Sequence, residues 1–179
     1  MKAIKPSEFV NVASLIFSAY TDYYLNELGP LLEERLGDID HVSEELPFSV
    51  FTSFYDQEMG PDLTARLVSF RRLFHPSELV EIKLIACEIE DKTRIDGNRK
   101  VNIDPGYVHH TQFVLASTKH WANRIYIGRG FFAEITLMFV DGVFRPFEHT
   151  YPNYKHPDYI AELTKIRSLY LEKRKERLA

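Results

Sequence analysis

The sequence predicts an α+β fold, a mixed or antiparallel sheet with helices packed on it in two layers, with a ferredoxin-like core and an added C-terminal meander. Three observations carry this. Over roughly the first hundred residues, apolar runs of strand length alternate with helical patterns in the order strand-helix-strand, strand-helix-strand. A series of short strands then follows, ending in the hairpin signal Asp141-Gly142, and a last amphipathic pattern closes the chain. At 179 residues, against roughly 150 residues per domain, the whole of 1–179 is expected to be one domain.

Each element has its own local reason. Phe9 to Phe17 is too uniformly apolar for a half-exposed strand and reads as a central one. Thr21 or Asp22 caps a helix whose Tyr24, Leu25, Leu28, Leu32 and Leu36 share a side, and Gly29-Pro30 is expected to bend or split it. Val42 to Phe51 reads as a second strand, at an edge or irregular because of Pro47. Thr52 to Asp62 reads as a polar, aromatic-bearing loop long enough to be functional. Leu63 to Leu73 is the next strand, with Ala65 and Leu67 on one face and Val68 and Phe70 on the other.

Pro76 and Glu78 mark a helix start, and Leu79, Ile82, Leu84, Ile85, Ala86 and Ile89 form its apolar stripe. Lys83, next to that stripe, reads as part of a solvated face, and Cys87 as a buried small hydrophobe. Strands are expected at Tyr107 to Ser117, Arg124 to Ile127, Phe131 to Val140 and Val143 to Phe147. His156-Pro157-Asp158 opens a final helix, its basic end expected to fray from about residue 173.

Composition excludes several classes. Apolar residues make up 45% of the chain and charged residues 27%, which rules out a disordered or collagen-like chain. A formal charge of -4 has the wrong sign for a dedicated nucleic-acid binder. The charge is uneven: residues 1–90 sum to -9 and residues 91–179 to +5, so an anionic ligand is drawn to the face that the second half presents. The longest apolar runs fall short of the roughly 18 residues of a membrane span, and Met1 to Pro6 is too short in apolar character for a signal peptide. With one cysteine and no such segment, a cytoplasmic location is expected.

Polar information is concentrated between Asn102 and Glu134. Asn102 and Asp104, two apart on an extended segment, share a side, and Pro105-Gly106 reads as a turn that aims them and Tyr107 into a cleft. The alternative is an Asx-turn that spends both side chains on backbone. Lys119 and Arg124, with Tyr126, suit phosphate or carboxylate oxygens, and Arg71-Arg72 is a further basic pair. Glu134, inside an otherwise apolar strand, must pair with a basic residue, coordinate a cation or face solvent.

Cofactors stay unknown. The histidines have no metal-ligand spacing, no P-loop or dinucleotide fingerprint is present, and a magnesium at Asp104 and Glu134 is conditional on a phosphate substrate.

Ser69-Phe-Arg-Arg-Leu73, Pro76-Ser-Glu-Leu79, Val101-Asn-Ile-Asp-Pro-Gly-Tyr107, Val114-Leu-Ala-Ser-Thr-Lys119, Arg124-Ile-Tyr-Ile-Gly128, Ala133-Glu-Ile-Thr136 and Thr150-Tyr-Pro-Asn-Tyr154 together resemble the DUF4416 family of uncharacterised bacterial and archaeal proteins. The resemblance runs from the first strand to the last helix and implies no particular chemistry.

The functional expectation is an enzyme or binder for an anionic small molecule. Asp104 or Glu134 would be the base, and Asn102, Tyr107, Lys119, Arg124 and Tyr126 the ligand contacts. The competing expectation is a non-enzymatic interaction domain, self-associating as a homo-oligomer through an aromatic surface.

Overall fold

In a computed structural model, residues 9–178 are described, so the segment Met1 to Pro6 lies outside the described residues. β1 (Val10–Ser18) is buried along its whole length because it is flanked on both sides: β4 (Thr64–Phe74) and β5 (Asn102–Val108) both pair with it antiparallel. Its alternate side chains feed two cores. Ala13, Leu15 and Phe17 enter one and Val12 and Ile16 the other, which is why apolar residues dominate the run on both faces.

The remaining strands are β2 (Ile39–Val42), β3 (Leu46–Pro47), β6 (Gln112–Ser117), β7 (Ile125–Gly128), β8 (Phe131–Val140) and β9 (Val143–Pro146). All pair antiparallel in one sheet of order β2-β4-β1-β5-β6-β8-β7, with β3 beside β4 and β9 beside β8. Helix α1 (Thr21–Leu36) joins β1 to β2, and α3 (Leu79–Asp91) joins β4 to β5. The order β2-β4-β1-β5 with these two crossovers is the split βαβ arrangement of a ferredoxin-like core, and β6 to β9 extend its β5 edge. The fold is therefore α+β, with a many-stranded sheet and several packed helices.

Leu28, Leu32 and Leu36 of α1 and Ile82, Ala86 and Ile89 of α3 bury against Val12 and Ile16 on one face. The opposite face is covered too. Tyr159, Leu163 and Ile166 of α5 (Pro157–Leu178) pack on Ala13, Leu15 and Phe17, so the two-layer core of sheet and crossover helices gains a further layer. α5 stays helical through its basic end as far as Leu178. Lys173 gives a reason: its ammonium donates to the Phe70 carbonyl at 2.8 Å and contacts the side chains of Asn11 and Asp40.

Six local expectations differ from the structure. The strand expected from Tyr107 to Ser117 is two strands, the end of β5 and β6, with a turn at 109–111 between them. Neither Thr21 nor Asp22 caps α1, whose N-cap is Tyr20 without a side-chain cap bond. α1 runs through Pro30 as one element, its buried leucines lying on both sides of that residue. The second strand lies earlier, at Ile39–Val42, and the Pro47 region forms only the two-residue β3. The loop 52–62 contains a short helix, α2 (Asp56–Met59), anchored by the buried Met59. Pro105 and Gly106 do not turn: they lie inside β5, and the strand continues to Val108. By contrast Asp141 and Gly142 both take positive φ, 52° and 82°, the twist a two-residue hairpin between β8 and β9 needs. Among the described residues, no helix is long and apolar enough to cross a membrane.

Candidate functional site

β5 pairs with β1 from Asn102 to Val108 but with β6 only from Gly106 to Val108. Beyond the Gly106–Leu115 pair the two strands diverge. The local cause is legible in the residues. Ile103, Pro105 and Tyr107 share one backbone side of the strand, and Pro105 has no N–H to continue a ladder toward β6. Gly106 marks the last close approach, since a Cβ there would lie 2.3 Å from the Val114 carbonyl oxygen.

The gap is filled on one side by α3. Glu90 accepts the Ile103 N–H at 2.7 Å, and Lys83 donates to the Ile103 carbonyl at 2.9 Å and to Asp104 Oδ1 at 3.3 Å. Both side chains are only 4% exposed. Lys83, expected on a solvated face, is thus buried because it and Glu90, two helical turns apart, supply the hydrogen bonds that a neighbouring strand would have given. Burial pulls the Lys83 ammonium down, but Asp104 and Glu90 outweigh it and hold the group above its ordinary value. Burial pushes the Glu90 carboxyl up against the opposing effect of Lys83.

At this split lies a cavity of about 820 Å³, inside the ~300–1,000 Å³ range of small-molecule sites. Asn102 and Asp104 project into it from β5, Ser117 from β6, Lys83, Cys87 and Glu90 from α3. Phe48, Phe51, Phe54 and Tyr55 form an aromatic wall from the segment between β3 and α2, and Tyr151, Asn153 and Tyr154 close it from α4 (Pro152–Lys155) and the residue before it. Cys87 is half-buried in this wall rather than in the core, and burial is the main cause of its raised thiol pKa.

Two ion-pair clusters brace the cavity. Arg99 forks onto both oxygens of Glu58 at 2.7 and 2.8 Å and reaches Glu90 and the Asn102 Oδ1, each at 3.0 Å. Its hydrogen bonds hold the Glu58 carboxyl below the ordinary value. Across the cavity Arg124 Nε donates to Glu134 Oε2 at 2.7 Å, both side chains almost wholly buried. The same guanidinium donates to Ser117 Oγ at 2.8 Å, the Lys119 carbonyl at 2.7 Å and Tyr151 Oη at 3.1 Å. Asn123 and Thr136 also donate to Glu134, each at 3.3 Å. Of the readings open for Glu134, the geometry is the one with a basic partner.

Five of the seven residues singled out from sequence therefore line one cavity: Asn102, Asp104, Lys119, Arg124 and Glu134. Tyr107 does not. It lies on the opposite side of β5 from Asn102 and Asp104 and packs beside Leu79, Val114 and Ala116. Tyr126 is exposed on β7, where its hydroxyl accepts the Gly130 N–H at 3.3 Å and its ring meets Phe132. Arg72 pairs with Glu78, and neither it nor Arg71 lines the cavity. Sequence reasoning missed Glu58, Glu90, Arg99 and Tyr154. The signal for Glu90 was its position seven residues after Lys83, on the same side of α3.

The polar groups left without partners define what the cavity can bind. It is lined by five basic side chains and five carboxylates; of the basic ones Lys119 is the one without a carboxylate partner among the described residues. Its ammonium instead sits 4.0 Å from the Phe54 ring centroid. Asn102 Nδ2 and Tyr154 Oη are buried and have no hydrogen-bond partner among the described residues. Asp104 makes a single hydrogen bond, to Lys83. Among the described residues no three His, Cys, Asp or Glu side chains gather as a metal-holding group.

Fold and site together define an α+β protein whose ferredoxin-like core carries a ligand-sized cavity where an extended sheet splits. Residues 8–170 match the family described as Domain of unknown function (DUF4416), and the chain belongs to that family. Comparison with curated proteins and with solved structures finds no match.

Proposed function

We propose that the protein binds a small molecule carrying a phosphate or carboxylate group in the cavity between β5, β6 and α3, with Lys119 receiving the anionic group. The observation that carries this reading is that Lys119 has no carboxylate partner among the described residues, whereas Lys83, Arg94, Arg99 and Arg124 each have one. An ammonium over an aromatic ring at a cavity mouth keeps its charge available to a ligand. Arg124 fixes the backbone around Lys119 and is itself positioned by Glu134.

If the ligand is transformed, Asp104 is the acid-base group, because it borders the cavity with a carboxylate oxygen that no protein donor occupies. Glu134 is then a positioning residue, its carboxylate committed to Arg124, Asn123 and Thr136. A thermal-shift screen with nucleotides, sugar phosphates and dicarboxylates, with and without magnesium, tests the reading. A ligand at a hundred times its Kd stabilises by about 2.7 kcal/mol. The shift is expected to be lost in a folded Lys119→Ala protein, and no shift with any anion at millimolar concentration overturns the proposal.

A second reading is favoured by a separate observation. β7 is a sheet edge, and Ile125 and Tyr126 on it are 73% and 61% exposed, with Trp121 nearby in sequence at 66%. An edge strand with exposed apolar side chains suits pairing with a second copy. Light scattering distinguishes this: a dimer converted to monomer by Ile125→Lys supports it, and a wild-type monomer at high concentration excludes it.

A further inference from the structure

We infer that the ligand is a polyhydroxylated anion, a sugar phosphate or a sugar acid, whose hydroxyls are read by Asn102, Asp104 and Tyr154 in the cavity. This rests on the anion reading above and narrows it to a substrate class.

The amide of Asn102 is oriented by its neighbour. Arg99, which can only donate, takes Oδ1 at 3.0 Å, so Nδ2 is the end left unpartnered, in a residue 4% exposed. Asp104, two residues along the same side of β5, offers an acceptor. Tyr154, 3% exposed, has a hydroxyl that can do either and is unpartnered. A donor and an acceptor from β5 and a hydroxyl from α4, all lining the one cavity, match ligand hydroxyls, each of which both donates and accepts.

An anionic group does not suit that part of the cavity. Asp104 lines it with a carboxylate oxygen free to accept, and a deprotonated phosphate or carboxylate oxygen beside it has no proton to give. The cations there, Lys83 and Arg99, already hold carboxylates, whereas Lys119, over Phe54 and near Tyr55, has no carboxylate partner among the described residues. The ligand must therefore carry two kinds of group, and the cavity, at about 820 Å³, has room for both. Phe48 and Tyr55, in an aromatic cluster with Phe17, line the space between with ring surface that can pack on the C–H face of a sugar.

Isothermal titration of the full chain with pentose and hexose phosphates, hexuronic acids, inorganic phosphate, succinate and neutral hexoses tests this. At least one sugar phosphate or sugar acid is expected to bind tenfold or more tightly than phosphate or succinate, and the two arms tell which charged group is used. Tyr154→Phe and Asn102→Ala are each expected to weaken that ligand about tenfold and to leave phosphate and succinate unchanged. Tyr154→Phe keeps the ring in the core, so it decides the matter if Asn102→Ala fails to fold. Equal affinity for hydroxylated and bare anions, or no effect of Tyr154→Phe on the sugar ligand, overturns this inference and leaves the anion reading standing. Failure of every anion to bind overturns both.

Discussion

Glu90 accepts the backbone N–H of Ile103 at 2.7 Å, so a helix side chain stands where the sheet has lost a strand partner. Lys83 completes the substitution by taking the carbonyl of the same residue. The cavity exists because α3 satisfies the open edge of β5 with two side chains, which leaves β6 free to diverge after one short stretch of pairing.

Lys83→Met is expected to destabilise the fold by about 3 kcal/mol, because it leaves the buried Ile103 carbonyl without its hydrogen bond and Asp104 without its ion-pair partner. The Lys83 ammonium is held above its ordinary value of 10.5. Its contribution is therefore present below pH 10.5 and lost as pH rises through the raised folded value. Urea unfolding of wild type and variant at neutral and strongly alkaline pH measures both effects.

Gly106→Ala places a Cβ 2.3 Å from the Val114 carbonyl oxygen and 3.1 Å from Phe113 and Leu115 side-chain atoms. The carbonyl is backbone and cannot move aside cheaply. A loss of about 3 kcal/mol is expected, read as a lower denaturation midpoint with an unchanged slope.

Arg124→Ala removes one member of a buried pair and is expected to cost about 3 kcal/mol or more. Combining Arg124→Met with Glu134→Gln is expected to cost less than the sum of the single changes, because neither charge is then stranded. A double-mutant cycle by thermal denaturation gives the coupling; additive costs would mean that the pair is not a unit.

Glu58 is held below the ordinary value of 4.5, first by its hydrogen bonds to Arg99. Its stabilising contribution is thus present above pH 4.5 and lost as pH falls through the lowered folded value. Glu58→Gln is expected to be less stable than wild type at neutral pH, with the difference shrinking in acid. A difference that stays constant from neutral to strongly acidic pH contradicts the ion pair.

Two tyrosines separate structural from ligand-facing hydroxyls. Tyr159 donates to the Pro47 carbonyl at 2.9 Å, so Tyr159→Phe is expected to cost about 1 kcal/mol. Tyr154 has no such partner, and Tyr154→Phe is expected to leave stability within about 0.5 kcal/mol of wild type or to raise it. Thermal denaturation of the two proteins without ligand makes the comparison.

The ferredoxin-like order was readable because each element carries its own period. β1 is apolar on both sides, and β4 sends Ala65 and Leu67 to one core and Val68 and Phe70 to the other. The strand at Pro105-Gly106 was not readable as such, because that dipeptide marks turns whenever it is exposed; here Pro105 lies where the ladder stops and Gly106 where two backbones meet. The same misreading brought Tyr107 into the site, since a strand that does not turn alternates and sends Tyr107 away from Asp104. Lys83 and Glu90 carry charges that normally face water. What buries them is an unpaired strand edge, a tertiary feature whose one local trace is their seven-residue spacing on the same side of α3. Arg124 and Glu134 were both identifiable, Glu134 because a carboxylate inside an apolar strand demands a partner.

The central claim is that Lys119 receives the anionic group of a ligand in this cavity. The most direct measurement is an NMR titration of protein labelled with ¹³C at the lysine ε-carbons, with the Lys119 signal assigned from Lys119→Arg, on addition of a hexose 6-phosphate or hexuronate found to stabilise the fold. The Lys119 signal is predicted to shift and saturate with the ligand while those of the surface residues Lys155 and Lys165 stay in place. A ligand that binds while the Lys119 signal does not move would contradict the account.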